Sequence, residues 1–217
     1  MAFDGQVLRV RAAVDDGLWR REQAAPQPGT RPAAPGQLAL LQAFLNSNFD
    51  LVEEWGADLL ASRTGLHSWL ATRELIAQRD RVTEADVART LTVREGLREL
   101  IAAQRGTSPP PDRKALRHLD RAVAGTSFEL RFDVDGARLK PAGKRPVDQA
   151  LGTLLAIATA AMLDGSWSRL KSCPGHHCGW VFYDRSRNNS GRWCSMTVCG
   201  GREKSRAHYR RHRARGD

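Results

Sequence analysis

The chain has 217 residues, 41% apolar and 27% charged, a composition that excludes disordered and fibrous classes and leaves room for one large or two modest domains. Its 34 Lys and Arg against 24 Asp and Glu give a formal charge of +10, which points to a polyanionic partner, nucleic acid before membrane. The excess is local: residues 165–217 carry 12 basic and 3 acidic side chains, a net +9, and the rest of the chain is nearly balanced.

Asp4, Arg9, Arg11, Asp15 and Asp16 interrupt the start of the chain, so no secretory apolar segment is expected. The strongly apolar uncharged run at residues 149–163 is 15 long, against the roughly 20 that a membrane span needs. A cytoplasmic protein with no membrane partner is expected, and in that reducing compartment cysteines serve as ligands rather than disulfide halves.

Residues 1–36 read as an extension: a short apolar alternation at Val7, Leu8 and Val10, then a linker punctuated by Pro26, Pro28, Pro32 and Pro35. From Gln37 onward Leu38, Leu41 and Leu45 recur at helical spacing, and Leu51, Val52, Trp55 and Leu59 predict a second helix. A third helical segment spans 64–79 through Leu66, Trp69, Leu70, Leu75 and Ile76. Thr83 with Asp86 three residues on is a capping box; it opens a helix to about residue 104 whose apolar face is Val87, Leu91, Leu97, Leu100 and Ile101. Pro109, Pro110 and Pro111 stop it, and a short helix at 112–123 follows. There the period changes to two. Phe128, Leu130, Phe132 and Val134 alternate with charged residues ahead of Asp135-Gly136, a hairpin-turn pair, which predicts strands at 127–133 and 137–141. Pro146, Val147 and Asp148 open a helix to about residue 163, apolar nearly all round and so expected at the centre of the core. Residues 37–165 form an α-rich domain on this reading. No catalytic constellation is visible in it: there is no phosphate-cradling glycine loop, no nucleophile elbow, and His67 and His118 are its only histidines.

All four cysteines fall in C-x4-C-x15-C-x4-C spacing at Cys173, Cys178, Cys194 and Cys199. Two pairs on tight turns suit a tetrahedral metal, and Gly175, Gly179, Gly200 and Gly201 let backbone amides fold toward thiolate sulfur. A unit of about 50 residues with few large apolar side chains needs a staple. One structural zinc on the four cysteines is therefore expected; a disulfide pair, an iron–sulfur cluster, or His176 or His177 replacing a cysteine are the alternatives. Residues 179–183 suit a short strand, with Trp180, Phe182 and Trp193 as the unit's small core and Tyr183 as its exposed aromatic. The fold class is thus mainly α with a β-hairpin in the N-terminal domain (α+β), followed by a small zinc-stapled β-hairpin/helix finger.

Cys178-Gly179-Trp180, Phe182, Asp184, Ser186-Arg187-Asn188, Trp193-Cys194-Ser195-Met196 and Cys199-Gly200-Gly201-Arg202 together resemble the CGNR-type zinc finger. Upstream, LALLQAFLNS at 38–47 and VREGLREL at 93–100 resemble the ABATE domain of stress-induced transcription regulators, so the resemblance covers about residues 37–210. It implies an extension over 1–36, an ABATE-like domain over 37–165 and the finger with a basic tail over 166–217. It also implies a transcription regulator acting on double-stranded DNA, whose upstream domain senses a small-molecule effector or pairs two chains as a homodimer. Asn46 and Trp69 are the candidate ligand contacts there. Two positions depart from the family pattern. Gly201 replaces the Asn that would cap the terminal helix, and Gly191 stands where an Arg would add a phosphate contact.

Arg185, Arg187, Asn188 and Arg192 punctuate the loop before the second cysteine pair, and Arg and Asn are the residues that read guanine and adenine or bind phosphate. The terminal segment reads as a helix in which Arg202, Arg206 and Tyr209 share one side, with Lys204, Arg210 and Arg211 around them. These basic residues and Asn188 are the candidate DNA contacts. His208 and His212 have the spacing of a metal pair but no Glu follows His208, so they read as bystanders. The runner-up function is an RNA-binding or protein-interaction module. A zinc-dependent nuclease ranks lower, because acidic metal ligands and a general-base His are lacking.

Overall fold

The computed structural model describes residues 10–12, 27–48, 56–104, 109, 111–134 and 136–213. Helix α1 (Leu38–Leu45) is buried along its whole length. Helix α2 (Arg63–Thr72) opens on Ser62, whose hydroxyl accepts from the Gly65 amide, and it stops before the expected residue 79. Glu74 takes φ 57°, the Leu75 amide donates back to the Leu70 carbonyl, and the chain turns so that Ile76 enters the core. Helix α3 (Glu84–Ala103) begins with the capping box of Thr83 and Asp86, and α4 (Arg113–Val123) begins with Asp112 accepting from the Ala115 amide. Of the helix expected from Leu51 to Leu59, residues 51–55 lie outside the described residues, while 56–58 are irregular and Leu59 falls in a turn, so no helix forms over 56–59.

Strands β2 (Phe128–Asp133) and β3 (Gly136–Pro141) form the expected hairpin, and β1 (Val10–Ala12) adds to the other side of β3 in parallel, giving the order β1-β3-β2. The extension thus contributes a strand that three residues of alternation are too short to announce. Helix α5 (Pro146–Asp164) packs against α1, β1 and β3. At Gly152 the Pro141 ring would stand 2.9 Å from an added Cβ, so the glycine sets the depth at which helix meets strand. Among the described residues α5 is the one helix long and apolar enough to cross a membrane. Here it is the helix expected at the centre of the core, with Val147, Leu151 and Leu154 fully enclosed.

After Gly165, left-handed at φ 81°, come a 3-10 turn (Ser166–Arg169), strand β4 (Leu170–Ser172) and its antiparallel partner β5 (Val181–Tyr183). A π-helical turn (Met196–Gly200) runs directly into α6 (Gly201–Arg213). The period of two sorts β5 between two cores. Trp180 and Phe182 face the cysteines, while Val181 and Tyr183, together with Leu170 of β4, join the core built by α1, α2, α3 and α5. Tyr183 is therefore buried rather than exposed, because both faces of this hairpin are covered.

Candidate metal centre and nucleic-acid interface

The four cysteine sulfurs lie within 4.8 Å of one another. Cys178 and Cys194 are 3.7 Å apart and Cys194 and Cys199 are 3.5 Å apart. Zinc–sulfur bonds of about 2.3 Å in a tetrahedron require sulfur separations of about 3.8 Å, whereas a disulfide needs about 2.05 Å. All four cysteines are free, and the constellation is one that holds a single zinc ion. The electrostatics agree. Without a cation, hydrogen bonds from Cys178 and Cys194 draw the Cys173 thiol down to about 2, while those two thiols, donating to Cys173 and buried, are pushed up, Cys178 to about 12. Four thiolates this close need a metal charge to exist together. His176 and His177 stack edge-on with ring centroids 3.8 Å apart, both exposed, and neither belongs to the cluster.

Local chemistry explains how the turns form. The Cys178 amide donates to the Gly175 carbonyl, and an added Cβ at Gly175 would meet the Cys199 sulfur at 3.2 Å, so only glycine leaves that room. On the other side Ser195 caps the π-helical turn by accepting from the Val198 amide. This corrects the expectation for position 201. The helix already starts at the Ser195 cap, and Gly201, at φ −65° and ψ −47°, is an ordinary residue inside it, where no cap is required. Gly191 has a different reason. Its amide donates to Asp184 Oδ2 at 2.6 Å, and an added Cβ would stand 2.6 Å from Oδ1 of the same carboxylate.

Asp184 organises the loop that carries the basic residues. Buried beside β4, it accepts from Lys171 Nζ and from the amides of Ser186 and Gly191; Lys171 also donates to the Asn189 carbonyl. Burial raises the pKa of such a carboxyl, but Lys171 and the two amides outweigh it and hold Asp184 far below the ordinary carboxylate range. Because the folded value is depressed, its contribution to stability is complete above about pH 4 and drains away as pH falls toward the folded value. Acidification below about pH 4 is expected to loosen residues 185–192 before the helical domain melts, read by amide chemical shifts along the loop. Asp184→Asn is expected to abolish that acid phase and, by leaving Lys171 buried and unpaired, to destabilise the finger by about 3–5 kcal/mol at neutral pH.

Around this framework Arg185, Arg187, Asn188 and Arg192 are exposed, as are Arg202, Lys204 and Arg206 on α6. Arg185 donates to the Ala33 carbonyl and lies over Tyr183; Arg192 lies over Trp193, and Arg206 pairs with Glu203. The side chains of Arg210, Arg211, His208 and His212 lie outside the described residues. A shallow recess of about 490 Å³ between His176, Ser205, Arg206 and Tyr209 opens on the α6 side of the metal cluster.

The two candidate ligand contacts are placed as follows. Asn46 clamps the outer edge of β5: its amide donates to the Val181 carbonyl and its oxygen accepts from the Val181 amide, both at 2.8 Å. Trp69 packs edge-on against Phe44 with Arg73 stacked on its ring. Three contacts of the finger escape sequence reasoning. Gln42 donates to the same Val181 carbonyl while accepting from the Ala34 amide. Arg98 of α3 reaches both the Leu45 and the Gly179 carbonyls. Arg31, in the stretch read as linker, donates to the carbonyls of Tyr183, Trp193 and Cys194 and covers the Phe182 ring at 4.7 Å. The only signal for these is a pair of amides, Gln42 and Asn46, one turn apart on an otherwise apolar helix, since buried amides must find partners.

A family model described as "ABATE: Putative stress-induced transcription regulator" matches residues 36–166, more than half of the chain, and one described as "CGNR zinc finger" matches residues 169–212. Their junction coincides with the 3-10 turn ahead of β4. No curated protein matches the chain.

Proposed function

We propose that this chain, which belongs to the ABATE family and carries a CGNR zinc finger, is a transcription regulator that binds double-stranded DNA through the finger, with the helical domain fixing the finger's orientation. The observation that carries the reading is the exposure of Arg185, Arg187, Arg192, Arg202, Lys204 and Arg206 on one loop and one helix of a segment with net charge +9. Such a surface supplies the phosphate contacts that dominate affinity for duplex DNA, and a single helix of this kind fits the major groove.

The burial of the aromatics weighs against single-stranded nucleic acid. Trp180, Phe182 and Tyr183 are enclosed, so the stacking platform that single-strand binders use is missing from β5; among the described residues of the finger Tyr209 is the exposed aromatic. The locks at Val181, Gly179 and Tyr183 support the role given to the helical domain, because they tie both sides of the finger to α1, α3 and the segment around Arg31.

Binding of the full chain to duplex DNA, followed by fluorescence anisotropy over a salt series, tests this. Replacing Arg187, Arg192, Arg202 and Arg206 by Gln is expected to flatten the slope of log K against log salt by about 0.9 for each phosphate no longer neutralised, with helicity and zinc content unchanged. An unchanged slope, or tighter binding to single-stranded RNA than to duplex DNA, would overturn the proposal.

A further inference from the structure

We propose that β2 is a self-pairing edge: two copies of this chain join antiparallel through Phe128–Phe132, centred on Leu130. Among the described residues β2 pairs only with β3, so its outer edge carries no strand. Its apolar row is uncovered, with Leu130 54% and Phe132 72% exposed beside the exposed Phe128 and Val134. An exposed apolar edge of this length is the arrangement that soluble proteins ordinarily blunt with charge or proline. Among its described residues β2 has neither proline nor lysine. The charged residues that alternate with the row, Glu129 and Arg131, carry opposite signs and pair with each other along the strand in the single chain, so across the two-fold axis each exchanges this partner for its counterpart in the second copy.

Hydrogen-bond parity fixes the register. The Ala142 amide donates to the Ser127 carbonyl, and the pairing continues as Phe128 with Pro141, Glu129 with Lys140 and Leu130 with Leu139. In an antiparallel ladder alternate pairs exchange bonds, so Ser127, Glu129 and Arg131 direct their amides toward β3. Phe128, Leu130 and Phe132 direct theirs to the free edge. A two-fold axis through Leu130 sets these outward groups against each other: Leu130 faces its own symmetry mate, and Phe128 of one copy faces Phe132 of the other. The same axis places Glu129 of each copy opposite Arg131 of the second. Sliding the axis one residue toward Glu129 sets that carboxylate opposite itself, and sliding it toward Arg131 sets two guanidinium groups together. Only the Leu130 register satisfies the backbone, the apolar row and the charges at once, and it turns two three-stranded sheets into one continuous sheet. The consequence for DNA, two fingers presented as an inverted pair, rests on the function proposed above; the dimer does not.

Sedimentation equilibrium of the full chain is expected to give twice the single-chain mass. Leu130→Lys, at a half-exposed position, and Glu129→Arg, which sets Arg opposite Arg across the axis twice, are each expected to weaken dimerisation at least about tenfold with unchanged circular dichroism. The swap Glu129→Arg with Arg131→Glu is expected to restore the dimer. Mixing the Glu129→Arg chain with an Arg131→Glu chain is expected to give heterodimers where each alone is monomeric. A monomeric wild-type chain at about 100 µM, far above the Kd range of stable pairs, would overturn the proposal. So would a dimer indifferent to Leu130→Lys and Glu129→Arg.

Discussion

Removal of zinc from the full chain, by chelation or by Cys178→Ser, is expected to abolish DNA binding, unfold residues 170–213 and lower the melting temperature of the helical domain as well. A structural zinc site contributes an apparent free energy of roughly 10–16 kcal/mol, comparable to the whole stability of an ordinary domain, about 5–15 kcal/mol. Among the described residues the finger's own core is Trp180, Phe182 and the cysteines, with Trp193 and Val198 partly buried against them, too little to replace the metal. The effect spreads because Leu170, Val181 and Tyr183 belong to the core of the helical domain. Each buried apolar side chain of this size stabilises by roughly 1.5–3 kcal/mol, and all three leave together when the hairpin opens. Charge balance upstream suggests an independent domain; shared packing argues for one cooperative unit. Zinc content and thermal unfolding, followed by far-ultraviolet circular dichroism and by tryptophan fluorescence on one preparation, check this. The holo chain is expected to show coincident transitions, and equal midpoints with and without zinc would sink the idea.

The parts of this molecule that are legible in the sequence are those whose signal is local. The cysteine spacing names a metal because ligands must return to one point from two turns. The Thr83–Asp86 box, the Asp112 cap and the Phe128–Val134 alternation each announce an element within a few residues. What stays hidden is long-range hydrogen bonding to backbone. Arg31 holds three carbonyls of the finger more than 150 residues away, and no side-chain pattern encodes a carbonyl. The Lys171–Asp184 pair is hidden for a related reason: a lysine in a basic segment reads as surface charge until burial is known. Tyr183 is misplaced by its pattern because alternation assigns residues to two faces of a strand without saying that both are covered. Asn46 is half legible. Its oddity on an apolar helix is visible, but an amide awaiting a ligand and an amide clamping a strand look alike in sequence.

Asn46→Ala is the substitution that separates those two roles, and it is expected to destabilise the full chain by about 2–4 kcal/mol. In β5 the Val181 amide and carbonyl point away from β4, since the bonded pairs of that hairpin are Trp180 with Cys173 and Asp184 with Arg169. Asn46 satisfies both groups at 2.8 Å in a site where it is 2% exposed. Truncation leaves the amide without a partner in an apolar setting, which costs about 1–3 kcal/mol, and opens a cavity besides; the carbonyl keeps Gln42 Nε2 at 3.1 Å. Asn46→Asp preserves the volume yet is expected to cost more at neutral pH, because it buries a carboxylate against the Val181 carbonyl. Amide exchange at Val181 is expected to accelerate in both variants, and the finger, released from α1, is expected to keep its salt dependence on DNA while losing discrimination between sequences. Urea unfolding of the three chains provides the measurement. A role confined to ligand contact would leave stability within about 0.5 kcal/mol of the parent, and that outcome would show that the clamp does not hold the finger.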